Sequence, residues 1–263
     1  MQKTSTQETP PVRRYGWKRD LMDRRDRLFT CKLSPTVLPP VVDLRSACPS
    51  VYDQGQLGSC TANAIAAAHQ FSQIKQKNLS VFNPSRLFIY YNERAMEGTV
   101  SADAGASIRD GIKSVVNLGV CTEALWPYDI AQFATQPKQE CYAAAVFDQA
   151  IEYSSILPYD SGAMKQCLAE GFPFVFGIAV YESFQSQHTI QTGEVTAPGD
   201  TESMIGGHAM LCVGYDDAKS AFIVRNSYGD GWGVGGYCTI PYMMFNMGYV
   251  SDLWTIRLVE EGL

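Results

Sequence analysis

The stretch Gln54–Ala68 constrains the fold more than any other. It reads Gln-Gly-Gln-Leu-Gly-Ser-Cys-Thr-Ala-Asn-Ala-Ile-Ala-Ala-Ala, a loop broken by Gly55 and Gly58 that passes at Cys60 into an alanine-rich run. Alanine is the best helix former, and Ile65, Phe71 and Ile74 extend the run, so a buried helix starting at Cys60 is expected. A thiol in the first turn of that helix lies at the positive end of its dipole, which favours thiolate over thiol. Six residues earlier, Gln54 offers a neutral amide donor suited to a developing oxyanion. The competing reading is a core cysteine, since cysteine is among the most buried residue types.

About 150 residues downstream, the chain reads Gly-Gly-His-Ala-Met-Leu-Cys-Val-Gly-Tyr-Asp (206–216). It then reads Phe-Ile-Val-Arg-Asn-Ser-Tyr-Gly-Asp-Gly-Trp-Gly-Val-Gly-Gly-Tyr (222–237). His208 opens one apolar strand and Asn226 closes the next, so neighbouring strands can bring an imidazole and an amide together. A cysteine nucleophile needs a base to take its proton and a third group to fix the base's tautomer. Cys60, His208 and Asn226 supply those roles in that order.

With these residues in hand, the chain resembles the papain family of cysteine peptidases. The family signature is Cys-Gly-[Ser/Ala]-Cys-[Trp/Tyr], with His and Asn roughly 130–150 residues on. Here the match is Leu57-Gly58-Ser59-Cys60-Thr61; Leu38-Pro39 with Val42-Asp43-Leu44-Arg45 resembles a mature start, and Asn117-Leu-Gly-Val with Trp126-Pro127-Tyr128 fits the middle. Bacterial, cathepsin-like members with a short N-terminal arm are the most similar in pattern. The resemblance implies attack by Cys60 as thiolate, His208 as its ion-pair partner and acid, and Asn226 orienting His208. Gln54 and the Cys60 N–H would bind the oxyanion. A substrate-pairing strand falls on Gly105-Ala106, Gly207 precedes the His, Trp232 flanks the leaving group, and Tyr228 shields the Asn. In family members a disulfide usually ties the loop before the nucleophile, at the position occupied here by Leu57.

At 263 residues and 46% hydrophobic, the chain is long enough for one large domain or two lobes. Its first forty residues hold nine Lys or Arg against four acids, while the remainder holds twelve against twenty-three. A basic arm on an acidic body has that body as its natural partner, and an acidic body repels nucleic acid. Spacings of four in Arg19–Asp23, Asp20–Arg24 and Asp23–Arg27 allow one or two helical turns. Tyr15, Trp17, Leu28 and Phe29 are candidate anchors. A short pro-segment over the cleft is one reading of residues 1–37; a solvated tail is another. The N-terminus lacks the apolar core of a secretory signal and the longest apolar run, 172–181, is too short to span a bilayer, so a soluble protein is expected.

Further elements follow from local signals. Asn83-Pro84 reads as a helix start, a helix is expected over 107–118, and another over 163–170 with Ser161 as its cap. Strand-like runs cover 174–180, 208–215, 221–226, 237–240 and 253–258. Helices followed by strands imply an α+β protein with two lobes, and the resemblance implies the papain-like two-lobed fold. A helical lobe would span about 48–155 and an antiparallel, barrel-like lobe about 156–263, with the cleft between them.

The Gly231–Gly236 glycine pattern lacks a following helix, and no metal-spaced Cys or His pair occurs, so no cofactor or metal is expected. His69 and His188 are read as packing or surface residues. Eight cysteines permit either disulfides or free thiols. The expected protein is a monomeric thiol endopeptidase acting on peptide or protein substrates, restrained by its arm. An acyltransferase or deamidase on the same triad, and a papain-fold binding protein without turnover, are the alternatives.

Overall fold

The computed structural model describes residues 13–30 and 38–260. Cys31 and both ends of the 1–37 arm lie outside the described residues. In chain order the elements are β1 (Trp17–Lys18), β2 (Val41–Asp43), α1 (Cys60–Gln76), α2 (Arg86–Met96), β3 (Ala106–Ser107), α3 (Ile108–Asn117), α4 (Gln139–Ala145), β4 (Ala150–Ile156), α5 (Ser161–Ala169), β5 (Phe174–Tyr181), α6 (Gln187–Thr192), β6 (Met204–Asp216), β7 (Ala221–Arg225), β8 (Tyr237–Pro241), α7 (Tyr242–Asn246) and β9 (Val250–Val259).

The second half forms a seven-stranded antiparallel sheet in the order β4-β9-β5-β6-β7-β8. Strand β2 takes the edge of β6 beyond the end of β5, through the register Val42↔Tyr215. Both faces of the central strands are covered, so those strands are apolar throughout and alternation separates two cores. Val175, Ala209, Leu211 and Val213 face the core built with α1, α2 and α3. Phe174, Phe176, Met210 and Cys212 face the second core, which α5 and α7 complete. Helix α1 runs between the helical layer and the sheet; its alanines are nearly all buried, which allows the close approach.

Two helix starts differ from expectation. Helix α2 begins at Arg86, with Ser85 Oγ accepting the Phe88 N–H at 3.1 Å; Asn83 instead accepts from Gln70 Nε2 at 2.8 Å. Helix α5 is capped by Asp160, whose Oδ1 accepts the Ala163 N–H at 2.9 Å, while Ser161 is its first residue. In each case a polar residue one or two positions away had the better approach to the free N–H groups.

Residues 13–30 contain no helix, so the turns allowed by the four-residue spacings do not form. Asp23 pairs with Arg25, Asp26 with Arg109 of α3, and the segment is irregular apart from β1 and one tight turn, in which the Asp26 N–H donates to Asp23 O at 3.2 Å. Competition from body residues outweighs exposed i,i+4 pairs, which stabilise by only about 0.2–0.5 kcal/mol each. Strand β1 pairs in parallel with β3, and Phe29 N–H donates to Ser155 O at 2.7 Å.

Candidate active site

Cys60 opens α1, His208 lies on β6, and the pairing Leu211↔Arg225 carries Asn226 alongside the same end of β6. His208 Nε2 and Asn226 Oδ1 are 2.8 Å apart. Asn226 Oδ1 also accepts the Ser227 N–H at 2.8 Å, which fixes the orientation of the amide. An oxygen facing Nε2 requires that nitrogen to carry the proton. His208 Nδ1 is then a lone-pair acceptor, and it is buried without a partner among the described residues.

An aromatic wall surrounds the imidazole. Tyr228 stacks on it at 4.9 Å, and Trp232 meets Tyr228 edge-on at 5.7 Å. Phe184 and Tyr15 present edges at 6.0 and 5.9 Å. The sequence singled out Tyr228 and Trp232 here and offered Tyr15 as a candidate anchor of the arm; Phe184 carries no motif and went unassigned. Trp232 packs against Phe184 and Tyr228 at the back of this wall.

Gln54 is held on every side. Its N–H donates to Ser227 O at 2.9 Å, its Oε1 accepts from Ser227 Oγ at 2.7 Å, and its Nε2 donates to Leu57 O at 2.9 Å. The same Nε2 donates to the carbonyl of Arg14 at 3.2 Å. Two residues on, Gly16 is buried against Gly58, and its carbonyl accepts the Ala106 N–H at 2.8 Å. Gly105, at φ +67°, has no room for a Cβ because Gly16 lies over it. The indole of Trp17 rests on Gly177 and Gly207, neighbouring side-chain-free positions on β5 and β6, and its Nε1 donates to Asp252 Oδ2 at 3.0 Å. Of the substrate-binding residues expected from sequence, Gly105, Ala106 and Gly207 thus line the path of residues 14–18, and Trp232 stands behind Tyr228.

Burial dominates the electrostatics. Cys60 and His208 are both fully inaccessible. Burial pushes the Cys60 thiol up to about 11, although hydrogen bonds from the backbone of Ala209 and Gly16 act in the opposite sense. The same cause pushes the His208 imidazole down to about 4, with Arg13 adding to the effect. The helix dipole and burial therefore act on the Cys60 thiol in opposite senses. A dipole is worth about 0.3–1 kcal/mol at a surface site, less than the cost of removing a thiolate from water.

A family model for papain family cysteine proteases matches residues 38–252. The chain belongs to the papain family of cysteine proteases. It is 41% identical to xylellain, a cysteine protease from Xylella fastidiosa, over 98% of this chain and 100% of that one, with a TM-score of 0.86. An uncharacterised peptidase C1-like protein of Acanthamoeba polyphaga mimivirus is 40% identical over 95% of this chain and 89% of its own length. Ananain of Ananas comosus is 29% identical over 76% of this chain and 55% of its own. The fold is the papain-like α+β fold and the chain is a cysteine peptidase.

The remaining candidates of the sequence are accounted for without catalysis. His69 is buried in α1 against the Asp148 carbonyl at 3.1 Å, and His188 lies on the surface 3.3 Å from Glu194. No cluster of metal-ligating side chains occurs among the described residues, and no described helix is long and apolar enough to cross a membrane.

Proposed function

We propose that this papain-family chain is an endopeptidase that cleaves extended peptides through Cys60, His208 and Asn226, and that its own residues 1–37 restrain it. The observation that carries the reading is the contact of His208 Nε2 with Asn226 Oδ1: an oxygen there calls for a proton on Nε2 and leaves Nδ1 as a buried lone pair with no partner among the described residues. Such a nitrogen can take the Cys60 proton as the sulfur attacks a peptide carbonyl. Gln54 Nε2 and the Cys60 N–H would hold the resulting oxyanion. Collapse of the tetrahedral adduct, with His208 returning its proton to the departing amine, leaves a thioester. Water, deprotonated by His208, then releases the acid and restores the thiol.

Support for restraint by the arm comes from what occupies these groups. The Arg14 carbonyl takes the Gln54 amide, and Gly16 takes the Ala106 N–H. A peptide substrate would need both. Salt bridges Arg13–Asp53 (2.6 Å), Arg14–Asp103 (3.1 Å) and Lys18–Glu97 (2.8 Å) fasten the same segment. The test is intact-mass analysis after exposure to an epoxysuccinyl thiol inhibitor, run on the full chain and on a form lacking residues 1–37. One adduct on Cys60, formed faster without the arm, is expected, together with loss of all peptide hydrolysis in Cys60→Ala. Residual turnover in Cys60→Ala refutes the nucleophile, and equal labelling rates reduce the arm to a tail.

A further inference from the structure

One peptide unit beside the nucleophile is gripped from both sides. The Leu57 carbonyl accepts from Gln54 Nε2 at 2.9 Å. The N–H of the same unit, on Gly58, donates to both oxygens of Asp103, at 3.0 and 3.2 Å. Asp103 is in turn fixed by the hydroxyl of Tyr90, 2.5 Å away, and its side chain is only 9% exposed. Tyr90 lies fully buried on α2, and its oxygen also accepts the Gly105 N–H at 3.2 Å. A chain of hydrogen bonds therefore runs from the core of the helical layer, through Asp103, to the loop that presents Cys60.

We propose that Asp103 is a positioning residue of the peptidase: by holding the Gly58 N–H it fixes the Leu57–Gly58 peptide plane, and through the Leu57 carbonyl it aims the Gln54 amide at the oxyanion. This rests on the catalytic roles proposed above for Cys60 and Gln54. Glycine at position 58 leaves the plane free to rotate, because the backbone there has no Cβ to bias it. A rotated plane would withdraw the Leu57 carbonyl from Gln54 Nε2 and, once the arm is displaced, leave the amide held by Ser227 at Oε1 alone. A charged acceptor is suited to the task, since hydrogen bonds to a carboxylate are stronger than neutral ones.

The same carboxylate receives Arg14, so the arm and the nucleophile loop share one anchor. A test must separate the two. Three full-length chains serve: Arg14→Ala alone, Arg14→Ala with Asp103→Asn, and Arg14→Ala with Asp103→Ala. Each lacks the Arg14 ion pair, and rates are expressed per Cys60 titrated by the epoxysuccinyl inhibitor, so that misfolded protein is not counted. Asparagine keeps an oxygen for the Gly58 N–H; alanine does not.

The expected result is a kcat about tenfold lower for the Asp103→Ala form, with KM little changed, and a kcat within about twofold of the parent for the Asp103→Asn form. Gly58 amide exchange should be slow in the parent and the Asn form and fast in the Ala form. Equal kcat values for the parent and Ala forms, or an Asn form as slow as the Ala form, overturn the positioning role while leaving the catalytic assignment standing. Absence of any titratable Cys60 both in the Arg14→Ala parent and in the form lacking residues 1–37 overturns both.

Discussion

Replacing Gly16 by alanine should open the site without touching a catalytic group. A Cβ at Gly16 would overlap the carbonyl of Gly58, which is backbone and has no side-chain freedom to yield. Restoring van der Waals separation requires the arm to move by about 1.5 Å or more. A shift of that size breaks the Ala106 N–H···Gly16 O bond (2.8 Å) and the Gln54 Nε2–H···Arg14 O bond (3.2 Å). At about 1 kcal/mol net for each bond, docking weakens by about 2 kcal/mol, or about 30-fold. The assay is the second-order rate of Cys60 alkylation by an epoxysuccinyl inhibitor at fixed pH and salt, with the chain lacking residues 1–37 as the upper limit. Gly16→Ala should approach that limit. A Gly16→Ala chain that labels no faster than the parent would refute the claim that residues 14–18 control access.

Two further outcomes follow from the same geometry. In the Gly16→Ala background, Gln54→Ala should lower kcat by about 100-fold with the Cys60 adduct still forming, since a lost oxyanion donor costs about that much; kcat within a few-fold of the parent would remove Gln54 from the oxyanion role. The second concerns pH. Asp20 accepts from Trp254 Nε1 at 3.1 Å and from the Arg109 N–H at 3.1 Å, and its own N–H donates to Asp252. Burial, with repulsion from Asp252, raises its carboxyl from 3.8 to about 6, against the smaller opposing pull of Arg109; burial raises Asp252 as well, with Arg19 opposing. The docked arm then binds more protons than a free one between those values, so docking is favoured by acid and weakens as pH rises through 6. Between pH 5 and 7.5 the loss is about tenfold in the docking constant. Protection of the Ala106 amide from hydrogen exchange, measured in Cys60→Ala full-length chain and corrected for intrinsic rates, should fall accordingly and become flat in Asp20→Asn. Protection that rises with pH would contradict the sign.

The parts of the candidate site that were legible in the sequence each mark a change in the character of the chain. Cys60 stands where glycine loop becomes alanine helix, His208 opens the apolar stretch of β6, whose pairing starts earlier at Met204, and Asn226 follows β7, so residue type and boundary reinforce one another. The helix starts at Ser85 and Asp160 were misjudged because several capping residues stand together, and tertiary demand on Asn83 by Gln70 decided the first of them. The burial of Cys60 was hidden for a related reason. A dipole is local and readable, whereas burial by the arm depends on a contact across forty or more residues. Asp103 was equally invisible: an aspartate that accepts an N–H from 45 residues away leaves no spacing pattern behind. The course of residues 13–30 had charge and aromatic content as its only signals, and these gave a partner but no path.

The seven described cysteines all carry free thiols, and apart from the half-buried Cys48 they are sealed in the interior, Cys60 beneath the arm. Burial raises the thiols of Cys121, Cys167, Cys212 and Cys238, Cys167 to about 12, which leaves them almost without reactive thiolate at neutral pH. Among these seven, then, no crosslink is available for a reductant to cut, and the conditions that keep a sulfur nucleophile alive do not weaken the frame around it. Once the arm lifts, oxidation would fall on Cys60 and on the half-buried Cys48 before any sealed thiol, so the proposed nucleophile would be lost while the frame kept its shape.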